Sequence, residues 1–350
     1  MILNGRFLTQ GLTGVQRFAT EVTRALDAAR APVTLLAPPG AAGLDRFPHL
    51  APRVVGRRSG QAWEQFDLPR AARGQFLINL GNTGPVLAGR RQIVVIHDAG
   101  VFDTPESYGR AFRLWYRTLH RRLARQGARI ATVSRFSAGR IGAALGLDPA
   151  AIPVLPEGGE HILRDAAEPA LLTQHGLVPG RYALAVGTGA AHKNLAALDA
   201  AVAVLEEAGM VLAVAGSKDP RVFRAEGTAR PGLRGLGRVT DGGLRALYEN
   251  AACLLFPSRY EGFGLPPVEA MWCGCPVIAA RAGAVPEVCG EAALWFDPDS
   301  APAAPDGMAA ALRRLIAEDG LRDRLAAAGR ARAAMWSWDR AAQRLLEGCA

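Results

Sequence analysis

Between residues 259 and 275 the chain reads Arg259-Tyr-Glu-Gly-Phe-Gly-Leu-Pro-Pro-Val-Glu-Ala-Met-Trp-Cys-Gly-Cys275, and the remainder is placed by reference to this run. It follows an uninterrupted apolar segment, residues 252–256, of the kind that forms a strand buried on both faces of a parallel sheet. Pro257, Gly262 and Gly264 predict a loop. The pair Pro266-Pro267 predicts the opening of a helix, because proline suits the first helical turn. Glu261 is thereby assigned to the loop leaving the carboxyl end of a strand, and Glu269 to the first turns of the helix. That rim is where open parallel sheets bind ligands. Glycines let the main chain approach a ligand closely, and a helix start presents backbone N–H groups to an anion. Carboxylates do not hold phosphates, but they accept hydrogen bonds from sugar hydroxyls. Carboxylates for hydroxyls beside bare amides for phosphates is the chemistry that a nucleotide-sugar needs. A plain loop and a solvated helix face would leave the paired glycines and both prolines unexplained.

Two glutamates with seven residues between them, framed as Glu261-Gly-Phe-Gly-Leu-Pro-Pro-x-Glu269-Ala-Met, resemble the signature of retaining glycosyltransferases of the GT-B fold, the family 4 group. The resemblance implies an α/β protein of two Rossmann-like domains facing one another across a cleft, with a C-terminal helix returning to the first. Residues 1–170, joined by about 337–350, would form an acceptor-binding domain, and residues 171–336 a donor-binding domain.

A chain of 350 residues is long enough for two domains, and its composition is that of a globular protein. No apolar run approaches 18 residues, so no membrane-spanning helix is expected, and the opening Met-Ile-Leu-Asn-Gly-Arg lacks the layout of a secretory signal. Five cysteines, all in the second half, read as reduced thiols of a cytoplasmic protein. Charge is uneven: residues 1–175 hold 22 arginines against 13 carboxylates, whereas residues 176–350 are balanced at 19 each. A basic first half suggests an acidic partner, such as nucleic acid, an anionic membrane surface or a phosphorylated acceptor. Only Lys193 and Lys218 are lysines among the 41 basic residues, so either position invites a reason why arginine would not serve.

Residues 2–8 read weakly as a first strand, followed by a loop with Gly11 and Gly14 and a helix over 15–29. A simple turn explains these glycines about as well as ligand approach does; family 4 transferases place a glycine here beside the donor phosphates, which favours Gly14. Strands are expected at 33–37, 76–80, 92–96, 129–133 and 152–155. The strand at 92–96 ends in His97-Asp98. A lone histidine is often a packed core residue, but His97 falls on the ligand rim and resembles the histidine that the family sets near the transferred sugar. Residues 105–126 carry Phe112, Trp115, Tyr116, Leu119 and Leu123 at helical spacing, a stripe expected to pack in the core, with six arginines opposite. After the last strand comes Glu157-Gly-Gly-Glu-His161, where the family usually has Asn-Gly, so no role follows for Glu157 or His161. Residues 162–180 end in Pro179-Gly180 and suggest a hinge.

A second α/β alternation starts with a strand at 182–186 and the loop Gly187-Thr-Gly-Ala-Ala-His-Lys-Asn194. A third glycine is missing, so a dinucleotide fingerprint is a weak reading. The run resembles the family's Gly-x5-Lys-Asn-Leu segment, in which the lysine meets the donor diphosphate. Lys193 would do so here as a compact point charge. Many relatives add an arginine shortly before it; this chain has Gly187, Thr188 and Gly189, and Thr188 offers only a hydrogen bond. Strands follow at 211–215 and 233–236, and Asp241 is expected to cap a helix to about 250. Gly237-Arg-Val239-Thr-Asp241 corresponds to the main chain that relatives place against the base. Further strands lie at 277–280 and 292–296, helices fill 306–334, and a terminal helix over 337–347 is expected to be anchored by Trp336 and Trp338.

The resemblance implies transfer of a hexose from a nucleotide-sugar to a hydroxyl with retention at the anomeric carbon. Glu269 would hold ribose hydroxyls. Glu261, with the amides around Phe263 and Gly264 (Gly262 and Leu265 included), would hold the transferred sugar. Lys193 and main-chain amides would stabilise the departing diphosphate without a metal or other cofactor. GDP-mannose is the first expectation for donor, a UDP-sugar the alternative, and a saccharide or polyprenyl-diphosphate-linked saccharide the acceptor, met at the inner face of the cytoplasmic membrane by the basic first half. Glycoside hydrolysis also uses paired carboxylates but has no diphosphate for Lys193 to bind. A GT-B sugar-nucleotide epimerase would need no acceptor. A nucleic-acid-binding protein would need interleaved exposed aromatics or a known motif, which are lacking, so nucleic acid is not an expected partner.

Overall fold

The computed structural model describes residues 1–187, 190–216, 232–301 and 304–349. The chain forms two compact units: Met1–Glu157 with Ser337–Ala350, and Gly158–Trp336. Residues 158–170 thus belong to the second unit, as does the whole of the expected hinge at 162–180, which contains a short helix, Ala170–Gln174.

The first unit holds six parallel strands: β1 (Ile2–Asn4), β2 (Thr34–Ala37), β3 (Arg53–Val54), β4 (Leu77–Asn79), β5 (Gln92–Val95) and β6 (Arg129–Ala131), in the spatial order β3-β2-β1-β4-β5-β6. Leu3 lies beside both Leu35 and Ile78, and all three are fully buried, as expected of central strands with both faces covered. Helix Gly14–Ala28 buries Phe18, Val22 and Leu26, spaced four apart along one face. Helix Trp338–Cys349 packs on it, with Trp338 edge-on to Phe18 at 6.0 Å between ring centroids. Of the two tryptophans, only Trp338 anchors the terminal helix, buried together with Ala341, Ala342 and Leu345. Trp336 remains in the second unit, where its Nε1 donates to the Val288 carbonyl at 3.2 Å.

Several expectations fail for local reasons. β1 stops at Asn4 because the Asn4 side chain accepts from the Arg6 amide and turns the chain into the 3-10 helix Gly5–Thr9. The two-residue edge strand β3 is too short and too exposed to carry an alternating signature. Residues 152–155 form no strand, only a single bridge between Thr132 and Val154. Helix Arg110–Arg125 packs through Leu119 and Leu123, but Phe112 and Trp115 stand 45% and 42% exposed, so the expected core stripe covers only the second half of the helix.

The second unit repeats the wiring with β7 (Tyr182–Val186), β8 (Val211–Ala215), β9 (Leu233–Gly237), β10 (Cys253–Phe256), β11 (Val277–Ala280) and β12 (Ala293–Phe296), ordered β12-β11-β10-β7-β8-β9. Counted from its own first strand, each sheet runs 3-2-1-4-5-6. The order reverses between β1 and β4 in one unit and between β7 and β10 in the other, and at such a reversal the loops leaving the two strands diverge and open a crevice. Helix Asp241–Asn250 is capped by Thr240, whose hydroxyl accepts from the Gly243 amide, so the cap sits one residue before the expected Asp241. All five cysteines are unbridged. Burial pushes the thiols of Cys253, Cys273 and Cys289 up to about 12, which leaves them protonated and inert at neutral pH. Among the described residues no helix is long and apolar enough to cross a membrane.

Candidate functional site

In the second unit the crevice lies between the loops that leave β7 and β10. The first loop closes in the turn Ala191–Lys193, ended by Asn194 in the left-handed region with φ 51°. Two hydrogen bonds stitch it to the second loop: the Arg259 amide donates to the His192 carbonyl at 2.8 Å, and Asn194 Nδ2 to the Pro257 carbonyl at 3.3 Å. The result brings Lys193 Nζ to 2.6 Å from Glu261 Oε1, above the face of Phe256 with 5.9 Å from Nζ to its ring centroid. Both side chains are largely withdrawn from solvent, which strengthens the charge–charge interaction relative to an exposed pair. Behind Glu261, Gly283 (φ 59°) approaches so closely that a Cβ would stand 2.7 Å from the Glu261 amide nitrogen, and the next amide, of Ala284, donates to the Glu261 carbonyl at 3.1 Å. Glycine at 283 thus fixes where Glu261 sits.

Gly262, Phe263 and Gly264 are buried, and Gly264, at φ 101°, precedes helix Leu265–Trp272. Pro266 and Pro267 lack amide hydrogens, so the donors this helix start can offer come from the loop and Leu265 rather than from its first full turn, a narrower set than a generic helix N-terminus gives. Phe263 packs edge-on against Trp336, with centroids 6.0 Å apart.

Glu269, on the same helix, is buried and held from two sides. His161 Nε2 lies 3.0 Å from Oε1, and the Tyr248 hydroxyl donates to Oε2 at 3.1 Å. A carboxylate only accepts, so Nε2 carries the imidazole proton. Burial, reinforced by the Glu269 charge, raises the Tyr248 phenol well above its ordinary range and keeps it a donor. The sequence reading gave His161 no role and did not single out Tyr248; the only signal was the unusual Glu157-Gly-Gly-Glu-His161 string.

Among the other candidates in this unit, Gly187 directly follows β7, with its amide donating to the Ala215 carbonyl at 3.1 Å, and Val239 lies half-buried between β9 and the following helix. Thr188 and Lys218 lie outside the described residues. One Asp-x-Asp string escapes the sequence reading, Asp297-Pro-Asp299: Asp297 accepts from the Asp299 amide at 2.8 Å, and Asp299 pairs with Arg259.

Gly14 and His97 belong to the first unit. Gly14 is exposed at the start of its helix. His97 is buried, with Nε2 donating to the Leu80 carbonyl at 3.0 Å, Nδ1 3.4 Å from Glu157 Oε1, its amide on Asn82 Oδ1 at 2.8 Å, and its ring edge-on to Phe18. Its orientation is therefore set by its own unit. At the strand-order reversal of this sheet, Asn4 and Asn79 meet at 2.9 Å. Glu64, in a π-helical turn, accepts from Asn4 at 2.7 Å, Arg6 at 3.0 Å and Thr83 at 3.0 Å, a buried network that no sequence spacing announces.

Residues 180–318 match the family model described as Glycosyl transferases group 1, and residues 12–159 that of Glycosyltransferase Family 4. O-antigen chain mannosyltransferase B of Escherichia coli is 32% identical over 261 residues, 71% of this chain and 67% of the relative. MMP alpha-(1->4)-mannosyltransferase of Mycolicibacterium hassiacum is 32% identical over 240 residues, 65% of this chain and 55% of that protein. Among solved structures, HepE from Anabaena in complex with UDP and glucose superposes with a TM-score of 0.72 at 16% identity, covering 99% of this chain and 98% of that one. WaaG, a glycosyltransferase involved in lipopolysaccharide biosynthesis, gives 0.70 at 16% identity over 98% of both chains. At such identities the likeness bears on the fold alone, and the fold is the expected GT-B, built from two six-stranded parallel α/β units.

Proposed function

This chain belongs to the family 4 group of glycosyltransferases, and on that footing we propose that it transfers mannose from GDP-mannose, with retention at the anomeric carbon, to a saccharide or lipid-linked saccharide in polysaccharide assembly. The observation that carries the reading is the Lys193–Glu261 pair at the carboxyl rim of β7 and β10. An ammonium and a carboxylate 2.6 Å apart are matched to the two halves of a sugar diphosphate. Lys193 meets the diphosphate oxygens, and Glu261, with the amides of Gly262 to Leu265, accepts and donates to the sugar hydroxyls. Glu269 takes the ribose hydroxyls, Val239 the base, and Gly187 lines the phosphates. The acceptor oxygen bonds to the anomeric carbon as the bond from that carbon to the diphosphate breaks; GDP leaves, and the hydroxyl proton passes to its terminal phosphate oxygen. Lys193 stabilises charge developing on that leaving group, the step at which fixed electrostatics contribute most. No divalent ion takes part in this scheme, so a chelator leaves the rate unchanged.

The mannosyltransferases named above support the donor sugar, since both share 32% identity with this chain. Helix Arg110–Arg125 supports a site of action at an anionic leaflet. It carries six arginines and no acid, with Leu114 70% exposed beside Phe112 and Trp115. A thermal-shift panel of GDP-, UDP- and ADP-sugars tests the donor. A shift with GDP-mannose alone is expected, and a UDP-sugar preference would overturn it.

A further inference from the structure

The chain passes from one unit to the other at Glu157-Gly158, and four residues after Glu157 it reaches His161, whose side chain is fully buried against Glu269. Gly159 explains how the connector gets so deep. A Cβ there would stand 2.7 Å from Val268 Cγ1, 2.8 Å from Trp272 Cδ1 and 3.1 Å from the Val268 carbonyl carbon, so this main chain lies directly on the helix that carries Glu269. Glu269 has three rotatable side-chain bonds. A two-point grip on neighbouring hydroxyls requires its carboxylate to keep one plane, which a donor on each oxygen enforces: His161 on Oε1 and Tyr248 on Oε2.

We propose that His161 is a positioning residue for the donor: without touching it, His161 fixes the Glu269 carboxylate in the plane that accepts the ribose hydroxyls. This rests on the reading of Glu269 given above. Releasing Glu269 makes it re-order at each binding event, a cost to binding and not to the chemical step, because the ribose is remote from the bond being broken. The connector that enters the second unit is thereby part of the nucleotide site.

The test measures donor KM, kcat and the affinity of GDP or UDP, whichever binds wild type more tightly, in His161→Ala, His161→Gln, Glu269→Ala and the double variant His161→Ala/Glu269→Ala. Glutamine retains an N–H near the place of Nε2. His161→Ala is expected to weaken nucleotide binding and raise donor KM about 10-fold with kcat within about 3-fold, while His161→Gln stays within about 3-fold of wild type. In the double variant the histidine change should add less than about 2-fold. Unchanged nucleotide affinity in folded His161→Ala, with Glu269→Ala weakened, overturns the inference alone. Unchanged affinity in Glu269→Ala overturns the reading of Glu269 and the inference together. Should His161→Ala not fold, Tyr248→Phe removes the second donor from the same carboxylate. Wild-type affinity there would reject the fixed plane, and a matching loss would support it.

Discussion

Lys193 Nζ lies 2.6 Å from Glu261 Oε1, joining the loop that leaves β7 to the loop that leaves β10. Two further hydrogen bonds, one between main chains and one from the Asn194 side chain, hold the same loops together, so the pair is placed by the sheet and not by its own attraction. In the proposed reaction each partner exchanges the other for a piece of the donor.

Lys193→Ala and Glu261→Ala should each lower kcat by about 100-fold or more, the range for losing one fixed group that meets developing charge. The fold should survive. Removing one partner of a pair so largely withdrawn from solvent costs about 3 kcal/mol, which lowers the melting temperature by roughly 10 degrees and leaves the protein folded at assay temperature. Calorimetry beside initial rates checks both halves, and near-normal turnover in either variant would remove the mechanism.

Gly283→Ala should damage the site from behind. The backbone there is left-handed and the new Cβ would strike the Glu261 amide, so a loss of roughly 1–3 kcal/mol and a displaced Glu261 are expected. Gly320→Ala is the control. It shares a left-handed φ of 71°, but its nearest neighbour is the tip of Arg324, 3.7 Å away, so it should lose some stability and no activity.

His120 should make the protein acid-sensitive. Burial lowers its pKa to about 4, outweighing the hydrogen bond it donates to the Asn82 carbonyl at 2.8 Å. The unfolded chain binds this proton below about 6.5 and the folded one only below about 4, so its contribution is intact above pH 6.5 and lost on acidification through that window, up to roughly 3 kcal/mol. Urea midpoints between pH 4 and 7.5 should fall more steeply with acid in wild type than in His120→Gln.

Helix Arg110–Arg125 gives a prediction about surfaces. Binding to vesicles rich in phosphatidylglycerol should weaken about 30-fold in Arg110→Gln/Arg113→Gln, from about 1 kcal/mol per arginine near an anionic leaflet. Wild type should lose binding as salt rises and ignore phosphatidylcholine vesicles. Equal binding of both proteins would remove the membrane reading.

The second unit was more legible in the sequence than the first, and the reason is physical. Strands β7, β8, β10, β11 and β12 are apolar runs with a glycine or proline within two residues of an end, and the 259–275 segment fixes loop and helix by residues with few backbone choices. Glu261 and Lys193 could be paired on paper because each ends a strand-to-helix loop at the sheet's reversal. What stayed hidden depends on contacts distant in sequence. Tyr248 and His161 converge on Glu269 from 21 and 108 residues away, and Glu64 reaches Asn4 across 60. Helix Arg110–Arg125 misled for the opposite reason: its apolar period is genuine, but half of it faces outward.

The first unit is discontinuous, its sheet near one end of the chain and the helix bearing Trp338 near the other. A polypeptide emerging from the ribosome can complete β7 to β12 and their helices before Trp338 exists, so the half that begins first is the half that finishes last. Until then Phe18 has no tryptophan to meet. A chain cut short at 336 should therefore yield one finished body tethered to one with an open core, prone to self-association.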